Sequence, residues 1–249
     1  MFSLLLACAD GSADGSDWGS SVESMRSVWD VDNNAWDLAA ADGTLLSTVQ
    51  FGGSVLGWDP STGDVDEVGR DLGQPLGILV HDGTTYLSGT DNSIAGWVGI
   101  HEGGRDVTLL AEAGDGGLPM RRPADIAWLE GALIVADPVA EVVWTVQADG
   151  SSTTALQQGV EALSVEVLDG SVVVGTESGV FADGEELDSE EAYGLLDYDG
   201  RLLATGLAGV REVGGAVFAE GPGRPGSIEV LDGVIYVADQ AEGDVWELP

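Results

Sequence analysis

The chain has 249 residues, and its 44 Asp and Glu face only eight basic residues, all arginine, for a formal charge of −36 at pH 7. A surface of that sign repels nucleic acid and anionic lipid headgroups, which excludes a polyanion as partner. One cysteine excludes a disulfide framework, and no segment approaches the roughly 20 consecutive apolar residues that a membrane-spanning helix needs.

The first residues, Met1-Phe-Ser-Leu-Leu-Leu-Ala-Cys8, end in Leu5-Leu6-Ala7-Cys8, which resembles the lipobox of a bacterial lipoprotein signal. That resemblance implies export to the cell envelope, periplasmic or cell-surface, with Cys8 lipidated and residues 1–8 forming the signal segment. Two features depart from the pattern: no Lys or Arg precedes the apolar run, and the run is shorter than an ordinary signal core. A start codon placed too far downstream accounts for both, whereas a plain apolar N-terminus with a chance thiol is the simpler alternative. Residues 9–23, rich in Asp, Gly and Ser, have the composition of a flexible acidic tether.

Residues 24–31 read as one spare strand, Ser-Met-Arg-Ser-Val-Trp-Asp-Val, with no hairpin of its own. A unit then recurs six times: an aliphatic run, an acidic-Gly turn, and a second β-rich run. Its turn glycines are Gly43, Gly83, Gly131, Gly170, Gly200 and Gly233. Five residues before each stands Leu38, Ile78, Ile126, Val165, Leu195 or Ile228, aliphatic without exception. Asp-Gly, or once Glu-Gly, is the pair that a two-residue hairpin turn of positive φ requires. Each unit therefore begins with a hairpin.

A third strand carries an aromatic in five units, at Trp58, Trp97, Trp144, Phe181 and Trp246; in the fifth unit Val210-Arg211 stands there instead. A repeated aromatic of this sort reads as a wedge between neighbouring sheets. Fourth strands follow in the early units, at 65–68 and 107–111, but the sequence ends just after the last third strand. An array of such period that closes on itself is a six-bladed, all-β propeller over residues 24–249, with the spare strand 24–31 supplying the missing outer strand of blade six. Closure of this kind hides strand edges. Residues 185–194 read as an acidic loop.

Candidate chemistry is sparse. His81 and His101 read as turn residues with no ligand-spaced partner, so zinc is not expected, and no Gly-x-Ser-x-Gly elbow motivates a nucleophilic serine. Calcium is the one cation suggested. Asp10, Asp14 and Asp17, and the set Asp30, Asp32 and Asn34, have only partial loop spacing. On the inner strands, six residues before the turn glycines stand Asp37, Gly77, Asp125, Ser164, Gly194 and Ser227; two further on, Glu166 and Glu229 share the same face. Asp37, Asp125, Glu166 and Glu229 would thus crowd the central channel, where several carboxylates call for a cation or raised pKa values. The alternative is that small and polar residues occupy this column because inner strands crowd near the axis.

Pro75-Leu-Gly-Ile-Leu-Val-His-Asp-Gly, Pro123-Ala-Asp-Ile-Ala-Trp-Leu-Glu-Gly and Pro225-Gly-Ser-Ile-Glu-Val-Leu-Asp-Gly resemble the first half of the NHL repeat. The stretches 132–137 and 234–239, each followed by Trp144 or Trp246, resemble its second half. Gluconolactonase-like relatives of such rings hold one divalent cation at the channel mouth with a Glu, an Asn and an Asp. That likeness implies a metal in the channel here, but no Pro-Asn-Gly step is present, so the Asn ligand lacks a counterpart. It also implies that Asp137 and Asp239 are structural, bonding the turns that follow them. The expectation is an exported, lipid-anchored, monomeric binding or scaffold module without cofactor, taking a protein or small molecule on a ring face near residues 91–104 and 111–122. A calcium-dependent lactone or ester hydrolase using the four acids is the alternative.

Overall fold

The computed structural model describes residues 23–31, 34–91, 95–112, 119–221 and 223–248. Cys8, residues 9–22 of the expected tether, Asp32 and the glycine-rich stretch 113–118 lie outside the described residues, while Glu23, expected to end the tether, is a strand residue. Among those described, every regular element is a strand, and no helix is long and apolar enough to cross a membrane.

Two short strands, β1 (Glu23–Ser24) and β2 (Arg26–Asp30), precede the first blade. Blade one is β3 (Ala35–Ala41), β4 (Thr44–Val49), β5 (Ser54–Trp58) and β6 (Val65–Gly69); blade two is β7 (Gln74–His81), β8 (Thr84–Thr90), β9 (Gly96–Gly103) and β10 (Asp106–Glu112). Blade three is β11 (Asp125–Leu129), β12 (Ala132–Asp137), β13 (Val142–Gln147) and β14 (Thr153–Gln158); blade four is β15 (Ser164–Leu168), β16 (Ser171–Thr176), β17 (Gly179–Ala182) and β18 (Glu185–Asp188). Blade five is β19 (Gly194–Tyr198), β20 (Arg201–Gly206), β21 (Gly209–Glu212) and β22 (Val217–Glu220); blade six is β23 (Pro225–Leu231), β24 (Val234–Asp239) and β25 (Asp244–Glu247). The inner strands β3, β7, β11, β15, β19 and β23 adjoin in that order and β23 returns to β3, so the six sheets form a closed ring.

All six hairpins turn as the sequence requires: Asp42 and Gly43, for example, have φ of 46° and 79°. The N-terminal segment closes the ring as expected, with β2 antiparallel to β25 as the outer strand of blade six. It does more than that, because β1 also pairs in parallel with β22 and clips blade five. Residues 185–188, expected as a loop, form the outer strand β18 antiparallel to β17. That strand carries three acids in four residues, which suits an exposed edge and hides the hydrophobic signal on which a strand is recognised.

Four of the third-strand aromatics, Trp58, Trp97, Trp144 and Trp246, pack with residues of a neighbouring blade, whereas Phe181 joins no such cluster. Trp58 stacks on Trp29 of β2 at 5.8 Å and meets Tyr236 of β24 edge-on at 5.9 Å, filling the join between blades one and six. Trp97 packs into the cluster holding Leu46 and Val55 of blade one, Trp144 into that holding Tyr86 and Val98 of blade two, and Trp246 into that holding Leu196 and Val210 of blade five. Burying one such ring stabilises the fold by about 4 to 6 kcal/mol. Blade five solves the problem differently. Its Arg211 is 4 % exposed and ion-pairs with Asp188 of blade four at 3.0 Å, donating also to the Glu190 carbonyl at 2.8 Å.

Second strands latch onto the next blade through hydroxyls. Thr48 Oγ1 donates to the Leu76 carbonyl, Ser88 Oγ to that of Pro123 and Thr205 Oγ1 to that of Gly226. Each hydroxyl stands five residues after its turn glycine, and Ala136, Gly175 and Ala238 take the place in the other three blades.

The histidines differ from expectation. His101 lies within β9, buried, its Nε2 without a partner among the described residues. His81 ends β7 and stacks on Trp128 of the next blade at 4.0 Å. His81 holds the last place of its inner strand, two residues before the turn glycine, as Ala41, Leu129, Leu168, Tyr198 and Leu231 do in the other blades, and His101 lies in β9 because that strand runs on to Gly103.

Candidate functional site

The inner-strand column is where sequence and structure meet most closely. Near the axis adjacent strands crowd: a Cβ on Gly194 would lie 2.5 Å from the Gly226 carbonyl oxygen and 2.8 Å from Ser227 Cα. Where the column is acidic, the carboxylate bridges the same narrow gap. Asp37 accepts the N–H of Leu38 on its own strand at 2.8 Å and of Ile78 on the next blade at 2.8 Å. Asp125 repeats the pattern on Ile126 and Val165, at 2.8 and 2.9 Å. One step along the channel, Glu166 takes Val167 at 2.7 Å and Asp197 at 3.4 Å, and Glu229 takes Val230 at 2.7 Å and the backbone of Ala40. Ser227 Oγ accepts the Leu38 N–H at 2.8 Å and hydrogen-bonds Asp37.

All four predicted acids therefore line one cavity of about 250 Å³ along the axis. Burial pushes Asp37 up to about 7 against the pull of its amide partners, with the Glu229 charge adding to the rise. Burial likewise carries Glu229 to about 7, and holds Asp125 well above the usual carboxylate range with help from the Asp37 charge. Glu166 is raised for the same first reason. Burial thus favours the neutral form of all four acids over four full charges.

The fit to calcium is poor. That ion takes six to eight oxygens at close range, yet these carboxylates occupy two levels, each aimed at backbone N–H groups, and among the described residues no three His, Cys, Asp or Glu converge as ligands.

Above this level, on the face where the inner strands begin, the channel opens into a mouth of about 510 Å³. Asp37 and Asp125 form its floor, and its walls include Trp36, Gln50, Phe51, Arg122, Val139, Tyr193, Arg224 and Gln240, with Glu161 and Glu177 on the side of blade four. The Trp36 side chain reaches from blade one to blade three, where its Nε1 donates to the Ala124 carbonyl at 3.3 Å. Arg122 lies over that indole, its Cζ 4.6 Å from the ring centroid. Its backbone is fixed from below, because Asp137 accepts the N–H of Arg121 at 2.6 Å and of Arg122 at 2.9 Å while also bonding Ala140 in the following turn. Asp239 bonds its own turn through Ala241 and Glu242.

Arg122 and Arg224 precede the inner strands of the opposite blades three and six, and both line the mouth. Partial burial lowers the Arg122 pKa, and the charge of Arg224 lowers it further. Neither makes an ion pair with a described acid, whereas Arg26, Arg105, Arg201 and Arg211 each do. These two arginines are what sequence reasoning missed. The signal was present, since Arg122-Pro123 and Arg224-Pro225 occupy the same place in units three and six, and the chain has only eight arginines.

Of the segments expected to protrude, much of 91–104 is the strand β9. Its start meets the second segment on the same rim, where the Gly96 N–H donates to the Met120 carbonyl at 3.1 Å.

No family model and no curated protein matches the chain. Solved structures match its fold. A protein provisionally assigned as a gluconolactonase superposes with a TM-score of 0.73 at 13% identity, covering 90% of this chain and 91% of that one. Streptogramin B lyase gives 0.61 at 12%, covering 91% and 96%, and the WD40 β-propeller domain of Doa1 gives 0.64 at 10%, covering 92% and 97%. At such identities the likeness is one of architecture.

Proposed function

We propose that this NHL-like ring is a non-enzymatic binding module whose site is the channel mouth, carried on an exported chain anchored through Cys8. The observation that carries the reading is the division of labour along the axis. The four channel acids are engaged with backbone amides of adjoining blades, while the mouth above them holds aromatic, amide and guanidinium groups around an open cavity of about 510 Å³. A cavity of this size on a rigid scaffold lies within the range of small-molecule pockets, and its mainly polar lining suits a polar or charged ligand group.

A calcium-dependent hydrolase is the weaker reading, because its metal would have to draw the acids away from the amides that they satisfy. The test is a screen of small molecules by NMR, following the Trp36 indole N–H and the Tyr193 ring. Ligands that perturb both support the reading. A screen whose hits perturb only outer strands contradicts it. The anchor is tested separately: mass spectrometry of the mature chain should find a diacylglyceryl group on Cys8, and an intact, unmodified Met1 would contradict it.

A further inference from the structure

We infer that the ligand of this mouth is a small organic acid with an apolar body, its oxyanion held between Arg122 and Arg224 and its body lying along Phe51 and Val139. The inference rests on the mouth being the binding site, and adds the ligand's chemical class. Two independent features point to it.

The first is the arginine pair. Two guanidiniums that repel each other, in a chain with 44 acids, are an arrangement that an oxyanion between them relieves. Arg122 is held ready by the Trp36 ring under its guanidinium and by Asp137 on its backbone N–H, so little side-chain freedom is lost when it binds. Charge-assisted hydrogen bonds from a guanidinium fork suit a carboxylate or phosphate. The overall negative charge of the protein does not forbid this, because charges beyond about 8 Å are screened at physiological ionic strength, and Asp37 and Asp125 on the floor of the mouth carry less than full charge, burial having raised both. Glu161 and Glu177, on the blade-four wall, direct the anionic end away from themselves.

The second feature is apolar. Phe51 is 68% exposed and Val139 48%, and both line the mouth. They also line a neighbouring groove of about 700 Å³ with Pro119 and Met120, and Arg122 stands at the junction of the two spaces. A ligand whose charged end sits at Arg122 therefore meets apolar surface immediately beside it.

The test uses the full chain, with calorimetry and NMR detection of the Trp36 indole. The probes are hexanoate, octanoate, acetate, hexanamide and hexylamine, each up to about 10 mM, where even a millimolar Kd registers. Octanoate should bind more tightly than hexanoate, by up to about fourfold per added methylene, and acetate weakest of the acids. Hexanamide and hexylamine should bind at least about tenfold more weakly than hexanoate, and Arg122→Gln or Arg224→Gln should weaken octanoate by about tenfold or more. Arg70→Gln, an exposed arginine away from the mouth, should change nothing, and Phe51→Ser should flatten the chain-length dependence.

Equal binding of acid, amide and amine at the mouth overturns the organic-acid assignment while leaving the mouth as the site. Acids that bind but perturb only residues away from the mouth overturn both. No binding by any probe overturns the organic-acid assignment, and the wider small-molecule screen then decides the mouth separately.

Discussion

Asp37 and Ile78 lie on neighbouring inner strands, and Oδ2 of the first accepts the backbone N–H of the second at 2.8 Å across the seam between blades one and two. The same carboxylate holds the N–H of its own neighbour Leu38, and Asp125 repeats the bridge between blades three and four. Each is a fastening at the narrowest part of the ring. Asp37→Ala should therefore leave amides without their acceptor, at about 1 to 3 kcal/mol for each buried orphan. Asp37→Asn, keeping one acceptor oxygen, should lose less. Urea unfolding midpoints check the order, with the slope unchanged.

Stability should fall as pH rises from about 4 to 7. Asp37 and Glu229 have folded-state values of about 7, above their ordinary 3.8 and 4.5, so between about pH 4 and 7 the folded protein binds more protons than the unfolded one. Unfolding free energy then decreases with pH over that window, by at most about 4 kcal/mol per group at about 1.4 kcal/mol per unit. General repulsion among 44 acids acts in the same direction. The double variant Asp37→Asn/Glu229→Gln should make the Tm against pH profile shallower while leaving the surface charge in place, the slope that remains belonging to Asp125 and Glu166, which burial also raises, and to the general repulsion.

Blade five depends on a buried ion pair where the others have an aromatic or apolar wedge. Arg211→Leu strands the Asp188 carboxylate, which, despite the upward push of burial, its Gly214 and Glu190 amides and Arg211 together hold below its ordinary range. The expected cost is about 3 to 5 kcal/mol. The double change Arg211→Leu/Asp188→Leu should recover much of that loss, and a double-mutant cycle measures the coupling.

Trp29 is the N-terminal segment's contribution to the core, stacked on Trp58 with 5% exposure. Trp29→Ala should cost about 3 to 5 kcal/mol and loosen β2 from β25, baring a strand edge. Hydrogen exchange at Val245 and Trp246 should rise well before that of blade three.

How much of this the sequence disclosed follows from what repeats. The hairpins, the six sectors and the wedge at Trp58 were legible because a glycine with positive φ and a buried apolar position admit few substitutes, so each copy carries the mark. The convergence of Asp37, Asp125, Glu166 and Glu229 on the axis was legible from strand alternation alone. Their partners were not, since a backbone N–H on the next blade has no residue type to signal it. Arg122 and Arg224 escaped notice because they precede the strands, outside the alternating pattern, and because their meaning depends on blades three and six being opposite each other. The strand at 185–188 was hidden by its charge.

The channel carboxylates Asp37 and Asp125 fasten adjacent blades together, and calcium titration of the full chain by calorimetry, with Tm followed in parallel, tests that role most directly. Free calcium raised to about 5 mM should give no saturable heat and no rise in Tm, since a site weaker than that would add almost nothing to stability. A saturable one-to-one binding heat, abolished by Asp125→Asn in a variant that stays folded, would show instead that these acids hold a metal.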